Sequence, residues 1–478
     1  MAADDAMKDM GRKESMVPRR GGDYARRLLR EMVAAQQRGE GAVQEVVAAA
    51  LDEMGGRVDV EKITYTPQGT QLKDEFASDA IITPGERVAI VGRYCARKAD
   101  AGGAFSGRSL IMFAHPDGED PEHAPPGAGP GSWTRPPFEA TIEDRGAEGC
   151  LMYGWGIADD IMGVAAGVCA MRELYERGVA PRGELIMAST PSKRHARGCA
   201  ELVQRGYGAD AACYLHPAES GAGLQEVKAY TSGQLLVRVR VVGSLPTAPP
   251  PPHGDHPHWA ASITPEGDGM CAFAFTANSA LDKCLLIRDA LMRLGVDREK
   301  RVHHPTMHAA AGKSTSVLVS SLVCSAGKLS SVPLVGELGA SVTFPPTESL
   351  GSVKAEVAAA IETCASRDDW LKTHPPVIDF VSGVTGAEVS EDNPLYRAVS
   401  ESISASTGIE PHVNPMHTSS DIRVPAVQLG IPCVGFGSRS GNLAQNGLSD
   451  EWIDLDDFDQ MVDALVALVD RWCGLVDM

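Results

Sequence analysis

The stretch 109-SLIMFAHPD-117 is an apolar run that ends on a His-x-Asp, and its reading decides the fold. A short apolar run bounded by polar and proline residues fits a strand buried on both faces, as in a parallel sheet. Next comes 154-GWGIADDIMGVAAG-167, a glycine-punctuated loop whose aspartates open a helix. Two more strands follow, 184-ELIMAST-190 and 211-AACYLH-216, the second ending on another histidine. Strands alternating with helices predict an open α/β sheet. In such sheets ligands bind outside the carboxyl ends of the strands, so His115, Asp159 and His216 are expected on one rim. Two imidazoles and a carboxylate suit a catalytic divalent metal that keeps a position open for water. Asp160, one residue on, is the alternative carboxylate.

At 478 residues the chain is too long for one compact core, which predicts two domains. A formal net charge of −19 argues against nucleic acid or an anionic membrane as partner. The segment 1-MAADDAMKDMGRKE-14 lacks the apolar core of a signal peptide or anchor, and no run reaches the length of a membrane span. The 11 cysteines are scattered without a CxxC. Several fall inside apolar elements, which predicts reduced, packed thiols and a cytoplasmic protein.

Residues 1–22 read as a loose polar segment. A metal-binding α/β domain is expected over 23–226 and 366–478, its second part opening with the strand 375-PPVIDFV-381. Between them, alternating strands such as 233-GQLLVRVRVVG-243 and amphipathic helices predict a separate α+β domain over 227–365. The proline- and glycine-rich loop 116–139 joins two candidate ligands and reads as a wall of the site.

That order of motifs resembles the aminoacylase, acetylornithine deacetylase and glutamate carboxypeptidase family of metallohydrolases. The resemblance runs from about residue 24 to 473. It is carried by the His-x-Asp at 115–117, the loop 154–163, 178-GVAPRGELIMASTP-191, 419-SSDIR-423 before 430-GIPCVGFG-437, and 450-DEWIDLDDF-458. It implies a zinc-exopeptidase-like catalytic domain, with a mixed central sheet flanked by helices, interrupted by an α+β lid that also makes a homodimer or higher homo-oligomer. It also implies two-metal hydrolysis of amide or related C–N bonds, with Asp159 rather than Asp160 in the register of the bridging ligand.

The departures from the family pattern are informative. Its glutamate base and the neighbouring second-metal ligand fall on Lys193 and Arg194, and its last histidine ligand on Gly447, beside Asn446. The three first-metal positions keep ligating residues: His115, Asp159 and His216. The expectation is therefore one labile divalent transition metal per chain, Mn2+ or Zn2+, with Asp117 orienting His115. Lys193 and Arg194 stabilise a developing anion, and His195 is a replacement base. Arg423 falls on the position that grips a substrate carboxylate, a task suited to its planar fork; a surface or Asp-paired arginine is the competing reading. Thr247 marks the place of the family's lid histidine, the nearby His253, His256 and His258 being read as a solvated loop.

The leading expectation is a mononuclear hydrolase acting on a C–N bond of a small carboxylate-bearing molecule. Without the glutamate base, deamination of an electron-poor aromatic amine fits better than peptide cleavage. One outlier of the family does this to 5-nitroanthranilate, replacing its amino group by hydroxyl. An amidohydrolase, deacylase or metallopeptidase of the same family is the second reading, and a catalytically inactive binding module the third.

Overall fold

In the computed structural model, the described residues are 22–82, 84–95, 106–116, 132–146, 149–191, 196–245, 277–328, 331–417, 420–441 and 448–478. The central sheet has six strands, in the spatial order Val58–Tyr65, Arg87–Tyr94, Leu185–Ser189, Leu110–Ala114, Ala211–Leu215 and Cys433–Phe436. The first two pairings are antiparallel and the other three parallel. The sheet is thus mixed, with a parallel centre.

Burial explains why these runs carry no polar alternation. All five residues of Leu110–Ala114, of Leu185–Ser189 and of Ala211–Leu215 are buried. Side chains alternate between faces. Leu110, Met112 and Ala114 face one core with helices Gly22–Gln36, Glu40–Asp52, Met162–Glu176 and Leu455–Cys473, whereas Ile111 and Phe113 face another with Arg197–Gln204. Counting on by two, His115 leaves on the face of Phe113, and His216 on the face of Tyr214.

The second sheet is antiparallel, in the order Ser316–Cys324, Val335–Phe344, Gly233–Val242, Val377–Val384 and Phe76–Ala77. Helices Ala280–Arg301 and Leu350–Ala365 cover one face, where Leu235, Val237 and Val239 meet Ile287, Leu291 and Val357. The strand expected to reopen the α/β domain belongs here instead: Val377–Val384 pairs antiparallel with Gly233–Val242. Its half-exposed alternation is that of a one-sided sheet, a pattern the short run 375–381 shows only once its neighbour is known.

Close packing of the helix Met162–Glu176 on the sheet depends on Gly163. A Cβ at this position would lie 1.8 Å from the carbonyl oxygen of Leu215, the residue before His216. Backbone cannot swing aside as a side chain can, so Gly163→Ala should displace the helix from the strand end. Overpacking of this kind costs roughly 1–3 kcal/mol; urea unfolding should show a lower midpoint at unchanged slope.

Candidate metal centre

The loop after Tyr153 turns at Gly156, in the left-handed region at φ 71°. A π-helical turn over Ile157–Ile161 then feeds the helix at Met162, so the aspartates precede the α-helix rather than open it. Glu451, from the closing motif, clamps this loop: its carboxylate accepts the Gly156 N–H, and its carbonyl accepts the Gly154 N–H at 3.3 Å. The peptide between Asp159 and Asp160 is cis.

Both aspartates reach His216. Its Nε2 lies 2.9 Å from Asp159 Oδ1 and 3.3 Å from Asp160 Oδ1. One ligand atom from each of Asp159, Asp160 and His216 falls within 4.8 Å of the others, and among the described residues this is the one group of three or more with such spacing. The alternative carboxylate therefore joins the expected one. Asp160 is fully buried, and its Oδ2 accepts the Tyr214 hydroxyl at 2.8 Å. Burial, then the charge of Asp160, pushes the Tyr214 hydroxyl well above its ordinary pKa, so the phenol stays a donor.

His115 does not join that group. Its Nδ1 lies 2.5 Å from the Thr190 carbonyl, which fixes the proton there, and its Nε2 faces Asp421 Oδ2 at 3.2 Å. Phe113 stacks on Tyr214 at 5.0 Å, and the Tyr214 ring lies 5.4 Å from His115 and 5.0 Å from His216. The two histidines thus flank one tyrosine.

Arg423 is buried in ion pairs. Its Nη1 donates to Asp421 Oδ1 at 2.6 Å and its Nε to Glu75 at 3.1 Å. The Asp-paired reading is the one this geometry favours over a fork presented to a substrate carboxylate. Asp117, Lys193, Arg194, His195, Thr247 and Asn446, with the lid histidines 253, 256 and 258, lie outside the described residues.

Lys228 escaped the sequence reading. It is 1% exposed, and its ammonium contacts His216 Nδ1, which also lies 2.9 Å from the Pro217 carbonyl. Burial lowers its pKa, against the charges of Glu219, Asp160, Asp159 and Glu226. Burial and then Lys228 lower the pKa of His216 too, which keeps its imidazole neutral. A lone lysine in 226-EVKAY-230 gives no signal of this; its backbone pairing with Gly435 places it.

Oxygen and nitrogen donors at this spacing fit a divalent transition metal. Asp159, Asp160 and His216 would hold it. Strand-end donors on a mixed sheet, beside a separate antiparallel domain, suit a metal-dependent hydrolase. The pattern of peptidase family M20/M25/M40 matches residues 124–471, well over half of the chain, which belongs to that family.

Among curated relatives, it is 23% identical over 379 residues to an N-formyl-4-amino-5-aminomethyl-2-methylpyrimidine deformylase of Halalkalibacterium halodurans, covering 77% of this chain and 80% of that one. Among solved structures, it is similar to the aminopeptidase PepT of Bacillus cereus, with a TM-score of 0.61 at 16% identity, covering 94% of this chain and 98% of that one. It is also similar to the YXEP protein of Bacillus subtilis, described as a dinuclear metal binding peptidase, with a TM-score of 0.56 at 11% identity and coverage of 94% and 98%. At these identities the structural likeness speaks for the fold.

Equilibrium dialysis against manganese or zinc with elemental analysis should find about one ion per chain in the wild type and none in His216→Ala. Asp159→Asn should weaken that ion at least tenfold. Saturating metal at about 100 times Kd should stabilise the wild type by about 2.7 kcal/mol, read as a rise in Tm that His216→Ala lacks.

Proposed function

We propose that this chain hydrolyses a C–N bond of a small, carboxylate-bearing molecule with one labile divalent ion, Mn2+ or Zn2+, at Asp159, Asp160 and His216. The observation that carries the reading is the convergence of those three side chains at the carboxyl ends of the sheet strands. An ion held there supplies a Lewis acid and lowers the pKa of a water. Everything else falls to the chain. Tyr214 orients Asp160 by donating its hydroxyl proton. His216 faces the two aspartates with Nε2, while Lys228 and the Pro217 carbonyl meet its Nδ1. Lys228 offsets part of the buried negative charge.

Positions 193 and 194 are Lys and Arg rather than acids, which supports a single catalytic ion and a reaction without a glutamate base. Two cations there would meet negative charge developing on the substrate. An aromatic ring made electron-poor by a nitro group accepts hydroxide from water at the amine-bearing carbon; the proton that water gives up passes to the amino nitrogen, which leaves as ammonia as the C–N bond breaks. Deamination of a substrate such as 5-nitroanthranilate is therefore the first chemistry to try. A deacylase is the second reading, favoured by the likeness to a deformylase named for an N-formylated aminomethylpyrimidine. The ten described cysteines are free thiols, which supports a reducing, cytoplasmic setting.

The test is a panel of 5-nitroanthranilate, other nitro- and carboxy-substituted anilines, N-formyl arylamines, N-acyl amino acids and dipeptides, scored for ammonia, formate or free amine. Turnover should disappear on chelation and return with Mn2+ or Zn2+. His216→Ala and Asp159→Asn should each lower kcat/KM by about 100-fold or more. Turnover that survives chelation would overturn the reading, and metal binding without any turnover would leave a binding module.

We propose further that the second domain forms a homodimer. Among the described residues Ser316–Cys324 is an edge strand with Leu318 59% and Val323 67% exposed, beside a helix exposing Met292 and Val296. An apolar open edge pairs readily with another copy of itself. Leu318→Lys with Val323→Lys should halve the mass measured by light scattering.

A further inference from the structure

We infer that Arg197, rather than Arg423 with its partners Asp421 and Glu75, grips the carboxylate of the substrate. The inference rests on the proposed hydrolysis of a carboxylate-bearing molecule and deepens it by naming the residue that selects the carboxylate. Arg197 is 5% exposed. Its Nη1 donates to the Thr70 carbonyl at 2.7 Å, whereas its Nε is buried without an acceptor. Among the described residues no carboxylate pairs with it. Arginine is almost never fully buried unless paired, and a buried donor left without a partner is costly. Burial pushes its pKa down, with Glu75 opposing and Arg423 adding to the fall. Glu75 is committed elsewhere: its Oε1 accepts from Arg423 Nε at 3.1 Å and from the Thr385 N–H and hydroxyl at 3.0 and 2.6 Å. Asp79, whose charge also reaches Arg197, is exposed.

Its place in the fold suits the task. Arg197 opens the helix Arg197–Gln204, which follows the carboxyl end of the strand Leu185–Ser189. The next residue, Gly198, packs hard on that strand end. A Cβ there would lie 2.2 Å from the Pro191 carbonyl oxygen and 2.9 Å from the Thr190 carbonyl carbon. The Thr190 carbonyl oxygen in turn lies 2.5 Å from His115 Nδ1. Arg197 is thus one residue removed from the backbone that fixes His115. The helix adds charge of the same sign. Its cap residue, Ala196, has no side-chain acceptor, and its first turn carries no acid, so the positive end of the helix dipole favours an anion from outside. With Nη1 committed to Thr70, Nε and Nη2 remain as the two parallel donors that a planar guanidinium offers a carboxylate.

The probes are anthranilate and its neutral isostere anthranilamide. Each is bound to the full chain by equilibrium dialysis with Mn2+ present and again after chelation, because a carboxylate seated on the ion would be lost with it. The wild type should hold anthranilate about tenfold or more tighter than anthranilamide in both states, as charge-assisted hydrogen bonds imply. Arg197→Met should abolish that preference while leaving the affinities for anthranilamide and Mn2+ unchanged. Should Arg197→Met fail to fold, Arg197→Lys, which keeps the charge without the fork, decides: it should weaken anthranilate severalfold more than anthranilamide. A wild type without the preference, a preference that vanishes on chelation, or one that survives in Arg197→Met overturns the inference; its loss in Arg423→Lys would then return the grip to that arginine. The proposed function fails separately, when no member of its panel shows metal-dependent turnover, and the carboxylate preference set by Arg197 would outlast that failure.

Discussion

The parallel pairing of Leu110–Ala114 with Ala211–Leu215 is the constraint on which the rest depends. Phe113 pairs with Tyr214 in register, so the next residue but one on each strand leaves the sheet at the same level and on the same face. A slip of one residue would send one imidazole to the opposite core. Register here is held by apolar burial on both faces rather than by any polar contact at the rim. The stability of the core and the geometry of the site are therefore the same quantity, and Gly163 couples them by letting the helix after the aspartate loop touch the backbone before His216.

Tyr214 then divides the rim. Its ring separates His115 from His216, and its hydroxyl is committed to Asp160. On one side stand Asp159, Asp160, His216 and the buried Lys228. On the other, His115 and Asp421 are backed by Arg423 and Glu75. The sequence expectation of a single triad joins residues that the structure sorts into two neighbouring sets.

Much of this was legible in the residues. Apolar runs ending on His115 and His216, and glycines around Asp159, mark strand ends and a tight loop, because local pattern and local geometry coincide there. Asp421, Lys228 and Glu451 are different. Asp421 reaches His115 and Glu451 reaches Gly156 across most of the chain, and Lys228 is placed by a backbone bridge to Gly435. None has a periodicity or spacing that announces a partner so distant. Val377–Val384 was misplaced for the same reason: whether a strand is buried on one face or two depends on which sheet receives it.

Charge gives the last constraint. Among the described residues the rim buries Asp160, Glu219, Glu226 and Asp421 to 9% exposure or less, with Asp159 beside them. Lys228 and Arg423 are buried cations among them, Arg423 also serving Glu75, and the buried ring of His417 faces Glu219 and Glu226 at 3.7 and 3.8 Å. Removing carboxylates from water costs several kcal/mol each unless they are paired. Arg423 and His115 hold the Asp421 carboxyl below its ordinary pKa although burial pushes the other way, so protonation is not the relief at that position. Lys228, lowered by burial, is a reluctant counter-ion for the remainder. A divalent ion at the carboxylates would add positive charge to such a rim. The balance makes metal affinity and fold stability interdependent: a variant that removes an acid loses a ligand but also relieves repulsion. Loss of ion binding without loss of apo stability is therefore the signature that separates a ligand from a structural carboxylate.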